Sequence, residues 1–354
     1  WGAFIFKQDL LRLSHKMKSG KSKIISFLKN YWPLLGYILI SIVFLFPILG
    51  QQGVPFKYDW NWPIFSLTEF WRGLSGPSSM GLAGSLGKYS SAILGLPGLL
   101  HIPPPIGLKL FLILIHTAAG YGFYLFVSKR IKSKFIAFIS GLAYAFTPYI
   151  FIRTIVGFIF SLISYAVLPF FLSSYLAEKR KFWQYLLPGF LFLLIFSQTQ
   201  AGVLVFLFLL VNLVFSANKS TLSKFILTML SALFLLSPWL LVSILAGNNN
   251  QPVAGGETVT LNFIASLSHS LRNVLTLSDH HITVRYFYHL MRQPVEFLGF
   301  ALIYLITVLS IFDRKNRSLI LSLIATALLV LPFSIGPTGR FAAIYTFIFN
   351  LFPQ

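Results

Sequence analysis

Long runs without a charged side chain constrain this chain more than any other feature. Residues 225–247 (FILTMLSALFLLSPWLLVSILAG) and 318–336 (SLILSLIATALLVLPFSIG) are the clearest examples. Runs of this length match the hydrocarbon core of a bilayer, which an α-helix crosses in about 20 residues. Because backbone polar groups inside a bilayer must be paired within the protein, apolar spans of this kind form helices. The sequence therefore predicts an all-α, polytopic integral membrane protein.

The composition and the charge distribution agree with that class. Hydrophobic residues make up 56% of the chain, charged residues only 10%, and the mean hydropathy is +0.78. The formal net charge of +20 is carried by short basic clusters between apolar stretches, as in the cytoplasmic loops of membrane proteins. This pattern argues against nucleic acid as a partner, because such a site would place basic and aromatic side chains together on one soluble face. The basic clusters lie at 7–29, 129–134, 179–181, 219–224 and 314–317.

The basic clusters also orient the predicted spans. If the basic segment 1–30 is cytoplasmic, residues 33–50 cross outward, and every later basic cluster returns to the inside with about nine spans (range nine to eleven). We therefore predict one multi-pass domain over 31–354, with large extracytoplasmic loops at 51–105 and 247–295. Segment 88–100 is too short and too broken by glycine to cross, so a short helix in the first loop is expected to lie in the interface. The further predicted spans are 106–127, 135–152, 155–176, 184–198, 200–216, 225–246, 296–312 and 318–336.

The two ends of the sequence suggest a fragment of a longer protein. The basic N-terminus leads into a full-length span without a small-residue cleavage site, so no cleavable signal peptide is predicted. The first residue is Trp1 rather than methionine, which indicates a non-native N-terminus. The apolar tail 337–354 stops abruptly at Gln354, as a truncated span or re-entrant segment would.

Asp59 is the leading candidate for a catalytic residue. It lies about nine residues after the first span in KYDWNWPIF (57–65), beside Tyr58, Trp60 and Trp62. Partial shielding of a carboxylate by aromatic rings suits it to take a proton from a hydroxyl, and the rings themselves could stack on a sugar. The same residues also fit a solvated loop with tryptophans as interfacial anchors. Glu69, in PIFSLTEFW (63–71), is a second candidate carboxylate.

Two arginines are candidates for binding phosphate. Arg153 ends GLAYAFTPYIFIR (141–153), where Pro148 permits a break in the span, and is predicted to face the outer surface. The planar guanidinium offers a fixed fork of donors to a phosphate, although Arg153 could equally reach lipid headgroups. Arg340, in GPTGR (336–340), is the second candidate. Its glycine-rich run lacks the Lys-Ser/Thr end of a P-loop.

The sequence predicts neither a metal site nor a cofactor. Adjacent histidines in the 247–295 loop cannot both point at one ion from a regular helix, and no HExxH motif occurs, so divalent metal is only weakly supported. The absence of cysteine excludes disulfides and thiolate sites. His116, within a span, is predicted to pack against another helix. The loop residues considered as metal ligands are His269, Asp279, His280, His281 and His289.

The order of the motifs resembles the C-type (GT-C) membrane glycosyltransferases. A first span and an outer loop with an early Asp are followed by HTAAGYGFYLF (116–126) before a basic turn, then by GLAYAFTPYIFIR and YAVLPFFL (165–172). More narrowly, the chain resembles bacterial multi-pass proteins of the YfhO type and is similar to the membrane portion of alpha-(1→3)-arabinofuranosyltransferases. The resemblance covers roughly residues 33–175, and the remainder is similar only in hydropathy.

The resemblance implies a transferase of the bacterial plasma membrane. Such enzymes move a sugar from a polyprenyl-phosphate carrier to an extracytoplasmic glycan, lipid or protein. Asp59 matches their essential loop Asp, which would act as the base, and Arg153 would steady the carrier phosphate. Asn61 stands where many relatives have a second Asp, which favours a metal-independent reaction. The alternatives are a non-catalytic transporter or flippase of lipid-linked envelope precursors and a structural membrane protein.

Overall fold

The structure is a computed structural model, and it describes most of the chain between residues 31 and 335. All regular secondary structure in the described residues is helical. The described residues are 31–51, 66–74, 87–178, 181–216, 218–245, 310–313 and 316–335, with the single positions 305, 343 and 347. The predicted loop 247–295 therefore lies outside the described residues.

The α-helices of the described residues are numbered here in chain order. Two 3₁₀ turns, at Phe182–Tyr185 and Ser310–Phe312, precede the eighth and the eleventh of them. The helices are α1 (Tyr31–Leu49), α2 (Leu67–Leu74), α3 (Lys88–Leu99), α4 (Pro104–Ser128), α5 (Lys134–Ala145), α6 (Pro148–Val156), α7 (Ile159–Leu176), α8 (Leu186–Phe196), α9 (Thr199–Ser216), α10 (Lys219–Leu245) and α11 (Arg317–Ile335).

Five of these helices are long and apolar enough to cross a membrane, and the number is six if the bent pair α5–α6 counts as one span. The five are α1, α4, α7, α9 and α10, which confirms the spans predicted at 33–50, 106–127, 155–176, 200–216 and 225–246. The predicted total of about nine is not reached within the described residues. The apolar helix at Phe182–Phe196 is shorter than a full span, the apolar segment Arg317–Leu331 covers only part of α11, and most of the predicted span 296–312 lies outside the described residues.

The span predicted at 135–152 is broken in the middle. Helices α5 and α6 meet at an angle of 42°. Pro148 begins α6, and the residue before a proline avoids the helical conformation. That residue, Thr147, accepts a hydrogen bond on its side chain from the backbone N–H of Ile150. Helix α6 ends at Gly157, whose positive φ of 88° is easily adopted only by glycine.

Small residues bring α1, α4 and α5 together. Tyr37 of α1 is fully buried, and its hydroxyl donates to the backbone carbonyl of Phe138 in α5 at 2.8 Å. A Cβ on Gly120 would fall 2.6 Å from the ring of Tyr37, and a Cβ on Gly141 would overlap its hydroxyl. Close approach at glycine is typical of helix packing in membranes.

The first predicted loop contains a tightly packed helix pair. Helix α2 lies on α3 so closely that a Cβ on Gly95 or on Gly98 would overlap the backbone of α2. The N-terminal turn of α3 is buried in the bundle rather than exposed at an interface. Lys88 is 6% exposed, and the Tyr89 hydroxyl donates to the backbone carbonyl of Leu235 in α10 at 2.8 Å.

The bundle has two distinguishable ends. At one end, which we call the basic end, α4, α7 and α9 finish and α10 and α11 begin, and residues from all five helix termini line one cavity. The basic clusters of 129–134 and 219–224 lie at this end. At the opposite end, α1 finishes and α4 begins, where the Lys109 ammonium donates to the backbone carbonyl of Gln51 at 2.8 Å. The chain enters residues 52–65 from this opposite end.

Candidate functional site

Arg153 is held in place by two aromatic rings. It lies in the last turn of α6, where a cation is favoured by the helix dipole. The guanidinium carbon is 4.4 Å from the ring centre of Phe158 and 5.1 Å from that of Tyr149. Contacts of this kind are cation–π interactions, and they fix the orientation of a planar guanidinium. The left-handed turn at Gly157 brings Phe158 back toward the arginine.

Helix contacts place Arg153 toward the opposite end of the bundle. One half-turn before it, the ring of Phe151 packs edge-on against Phe44 of α1 at 5.6 Å. Phe44 is in the part of α1 that leads to Gln51. Since α6 runs away from the basic end, Arg153 lies beyond Phe151 in that direction. The half-buried guanidinium therefore lies on the side of the bundle from which the Asp59 segment departs.

The other predicted site residues are only partly located. Glu69 is in α2, which packs on α3, but its side chain is outside the description. Among the predicted site residues, only Arg153 has a side chain within the described part of the chain. The described residues therefore show no contact between two predicted site residues. The predicted residues that lie outside the described ranges are Tyr58, Asp59, Trp60, Trp62 and Arg340.

A tyrosine pair fixes the break that carries Arg153. The hydroxyl of Tyr144 donates to the backbone carbonyl of Tyr165 in α7, and the hydroxyl of Tyr165 donates to the backbone carbonyl of Tyr144, each at 2.8 Å. Their rings stack with centroids 4.2 Å apart, and Phe123 of α4 stacks on Tyr144 at 4.6 Å. The break between α5 and α6 is thereby tied to two neighbouring spans.

His116 packs against other helices, as predicted. It is fully buried in α4, and its ring lies 5.8 Å from the rings of Phe44 in α1 and Phe146 after α5. The Nδ1 atom is 3.0 Å from the carbonyl of Leu112, which can only accept, so Nδ1 carries the proton. In a neutral ring Nε2 is then an acceptor, and among the described residues it has no hydrogen-bond partner.

Two lysines at or near the opposite end were not assigned a function from the sequence. Lys109 ties the start of α4 to the end of α1, and Lys88 enters the bundle with the first turn of α3. The sequence signal that could have identified Lys88 as a functional candidate is its position directly before a short apolar segment.

Within the described residues no three His, Asp or Glu side chains come together as a metal site would require. The prediction of no metal remains a prediction, because the histidines of 269–289 lie outside those residues.

Taken together, the helices define the class of the protein as an all-helical, multi-pass membrane protein, by the length and composition of its spans. Comparison with protein-family models, with curated proteins and with solved structures finds no match for the chain.

Proposed function

We propose that this chain is a GT-C-like glycosyltransferase of a bacterial plasma membrane, with a cytoplasmic N-terminus and a reaction site on the extracytoplasmic side. It would move a sugar from a polyprenyl-phosphate carrier to a glycan, lipid or protein acceptor. The motif order supports the proposal, and so does one structural observation. That observation is the placement of Arg153, clamped between two rings on the side of the bundle away from the basic loops.

Arg153 suits the phosphate of a lipid carrier. A guanidinium presents parallel N–H donors that match two oxygens of a phosphodiester, which an ammonium cannot do. Its rings hold the fork in one orientation, so less side-chain entropy is lost when a phosphate binds. The surrounding spans are apolar and long enough to lie beside a polyprenyl chain.

The length of the connecting chain would allow Asp59 to reach the same side. Asp59 is eight positions after Gln51, so an extended chain between them spans at most about 28 Å. Since the Lys109 hydrogen bond holds Gln51 at the end of α1, the loop starts near the Arg153 side of the bundle. Glu69 follows in α2, and Tyr58, Trp60 and Trp62 are available to stack on a sugar ring. Arg340 would be a second contact for phosphate.

The proposed reaction is a single displacement at the anomeric carbon. The acceptor hydroxyl oxygen forms the new glycosidic bond while Asp59 takes its proton. The bond between the anomeric carbon and the carrier phosphate breaks, and polyprenyl phosphate leaves with the electron pair. Arg153 stabilises the charge that develops on that phosphate. No metal is needed in this scheme.

The proposal is tested with the full chain purified into lipid nanodiscs. A panel of short-chain polyprenyl-phosphate hexoses and pentoses is added with a cell-envelope extract as the acceptor source. Release of polyprenyl phosphate and appearance of labelled sugar in the acceptor fraction are followed by chromatography. A transferase produces both in equal amounts for at least one donor. Absence of turnover with every donor of the panel, in each of a set of envelope extracts, would contradict the proposal.

A transporter of lipid-linked precursors is the second candidate function. The observation that favours it is the burial of two ionisable residues, His116 and Lys88, because such residues inside a membrane domain often mark a translocation path. The two candidates differ in bond chemistry. A flippase moves an intact labelled donor across a proteoliposome membrane and leaves the sugar–phosphate bond unbroken, whereas the transferase breaks it.

A further inference from the structure

A polar cavity lies at the basic end of the bundle, away from the proposed reaction site. Its volume is about 230 Å³, and it is open to the outside. Pockets for drug-sized ligands are about 300–1,000 Å³, so this one suits a group the size of a single lipid headgroup or phosphate. Side chains from five helix termini line it, among them Arg130, Tyr175, Asn212, Ser216, Lys224 and Ser318.

The charge of the lining is positive. Arg130 and Lys224 contribute cations, and none of the described residues that line the cavity is acidic. The carboxylate of Asp313, which is exposed, accepts a hydrogen bond from the side chain of the lining residue Asn316 at 2.7 Å. A cavity with two cations and no carboxylate in the described part of its wall attracts an anion.

The Arg130 guanidinium is held in place by contacts with Phe126, without a ligand. Its guanidinium lies 3.8 Å from the ring centre of Phe126, and Nη1 donates to the Phe126 carbonyl at 2.6 Å. One donor of the fork is therefore used by the protein, and the remaining N–H groups are available to a ligand. Burial lowers the pKa of Arg130 from its ordinary value, so a bound anion would relieve part of a desolvation cost.

Tyr175 and Lys224, two further donor residues, line the same space. The Tyr175 hydroxyl is buried, its side chain is 1% exposed, and within the described residues it has no hydrogen-bond partner. A buried hydroxyl without a partner is costly, and a ligand oxygen would satisfy it. The Lys224 ammonium makes one long contact, 3.4 Å to the Leu176 carbonyl, and keeps donors for an anion.

We propose that this cavity binds the phosphate group of an anionic phospholipid headgroup, with Arg130 and Lys224 as the cations and Tyr175 as a neutral donor. The apolar lining residues Leu176 and Leu319 and the position at helix ends suit a lipid whose acyl chains lie along the bundle. A free phosphate carries the same chemistry and is the other source. The site is independent of the transferase proposal, since it rests on different residues at the other end of the bundle.

The site is tested by native mass spectrometry of the full chain in detergent, with phosphatidylglycerol and phosphatidylcholine as probes and inorganic phosphate as competitor. The test variant is Arg130→Gln/Lys224→Gln. The matched control is Lys219→Gln/Arg317→Gln, which removes the same charge from two exposed positions at the same end. Tyr175→Phe removes only the hydroxyl and serves as a milder variant if the double variant unfolds.

The expected result is selective binding of one phosphatidylglycerol molecule. The test variant should lose about tenfold in affinity and Tyr175→Phe about fivefold, while the control changes by less than about twofold. Competition by millimolar inorganic phosphate would assign the site to free phosphate and still support it. Equal losses in test and control variants, or no selectivity over phosphatidylcholine together with no phosphate binding, would overturn it.

Discussion

The side-chain hydroxyls of Tyr144 and Tyr165 each donate a hydrogen bond to the backbone carbonyl of the other residue. Each of these carbonyls lacks its usual helical donor because the residue four positions later is a proline. In an α-helix the carbonyl of a residue accepts from the N–H four residues later. For Tyr144 that residue is Pro148, and for Tyr165 it is Pro169, neither of which has an N–H. The two hydroxyls donate to these carbonyls reciprocally at 2.8 Å. The repeated sequence Tyr-Ala-x-x-Pro, at 144–148 and 165–169, is thus explained by one pair of contacts.

Removal of either hydroxyl should destabilise the bundle. Tyr144→Phe and Tyr165→Phe each leave a buried carbonyl without its donor, and we expect a loss of about 1 kcal/mol in the free energy of unfolding. Unfolding in detergent with increasing sodium dodecyl sulfate measures this. Tyr121→Phe is the control, because the Tyr121 hydroxyl makes no hydrogen bond among the described residues and should change stability little. Equal effects at all three positions would contradict the reciprocal arrangement.

Gly141 should not tolerate a methyl group. Gly141→Ala would place a Cβ onto the Tyr37 hydroxyl and the Gly120 carbonyl, so the three helices must separate. We expect a loss of about 1–3 kcal/mol, typical of overpacking. Gly50→Ala is the matched control, since its Cβ would meet only a carbonyl at 3.4 Å. Thermal aggregation in detergent provides the comparison, and unchanged stability of Gly141→Ala would refute this packing.

Arg153 should be sensitive even to a conservative change. Arg153→Lys keeps the charge but loses the planar fork, and we expect kcat/KM for the lipid donor to fall about tenfold, and about a hundredfold for Arg153→Gln. Arg317→Gln removes an exposed cation at the basic end and should leave transfer unchanged. Turnover by Arg153→Gln at the wild-type rate would mean that this arginine only contacts the aromatic rings and headgroups.

The orientation of the bundle can be tested directly because the chain contains no cysteine. Single variants Gln51→Cys and Lys132→Cys lie at opposite ends of the bundle and in exposed positions. A membrane-impermeant maleimide applied to intact cells should label Gln51→Cys, and should label Lys132→Cys only after permeabilisation. The reverse pattern would invert the orientation derived from the basic clusters.

Hydropathy predicted the long spans well because their length is dictated by the bilayer. Helices α4 and α10 contain their predicted segments almost residue for residue, and the break allowed by Pro148 is present. Helix α11 also agrees with its predicted span 318–336 to within one residue, whereas in the predicted span 184–198 a 3₁₀ turn precedes α8, which has only 11 residues. The buried start of α3 was missed, since its packing depends on contacts of Tyr89 with α8 and α10 that are distant in sequence.

The sites were less predictable than the spans. Arg153 was found because a guanidinium at a span end is conspicuous, but the rings that clamp it depend on the turn at Gly157. The cavity at the basic end was not predicted, because its lining comes from five helix termini between residues 130 and 319. The reciprocal tyrosines could have been recognised from their matching proline spacing, yet only the fold shows that the two segments pair.

Donor turnover by Asp59→Asn is the most direct measurement of the proposed function. The variant keeps the size of the side chain and removes its ability to take a proton, so we predict loss of sugar transfer with unchanged protein abundance and unchanged donor binding. Asp313→Asn, at the exposed basic end, is the control and should transfer sugar at the wild-type rate. Full transfer activity in Asp59→Asn would contradict the account.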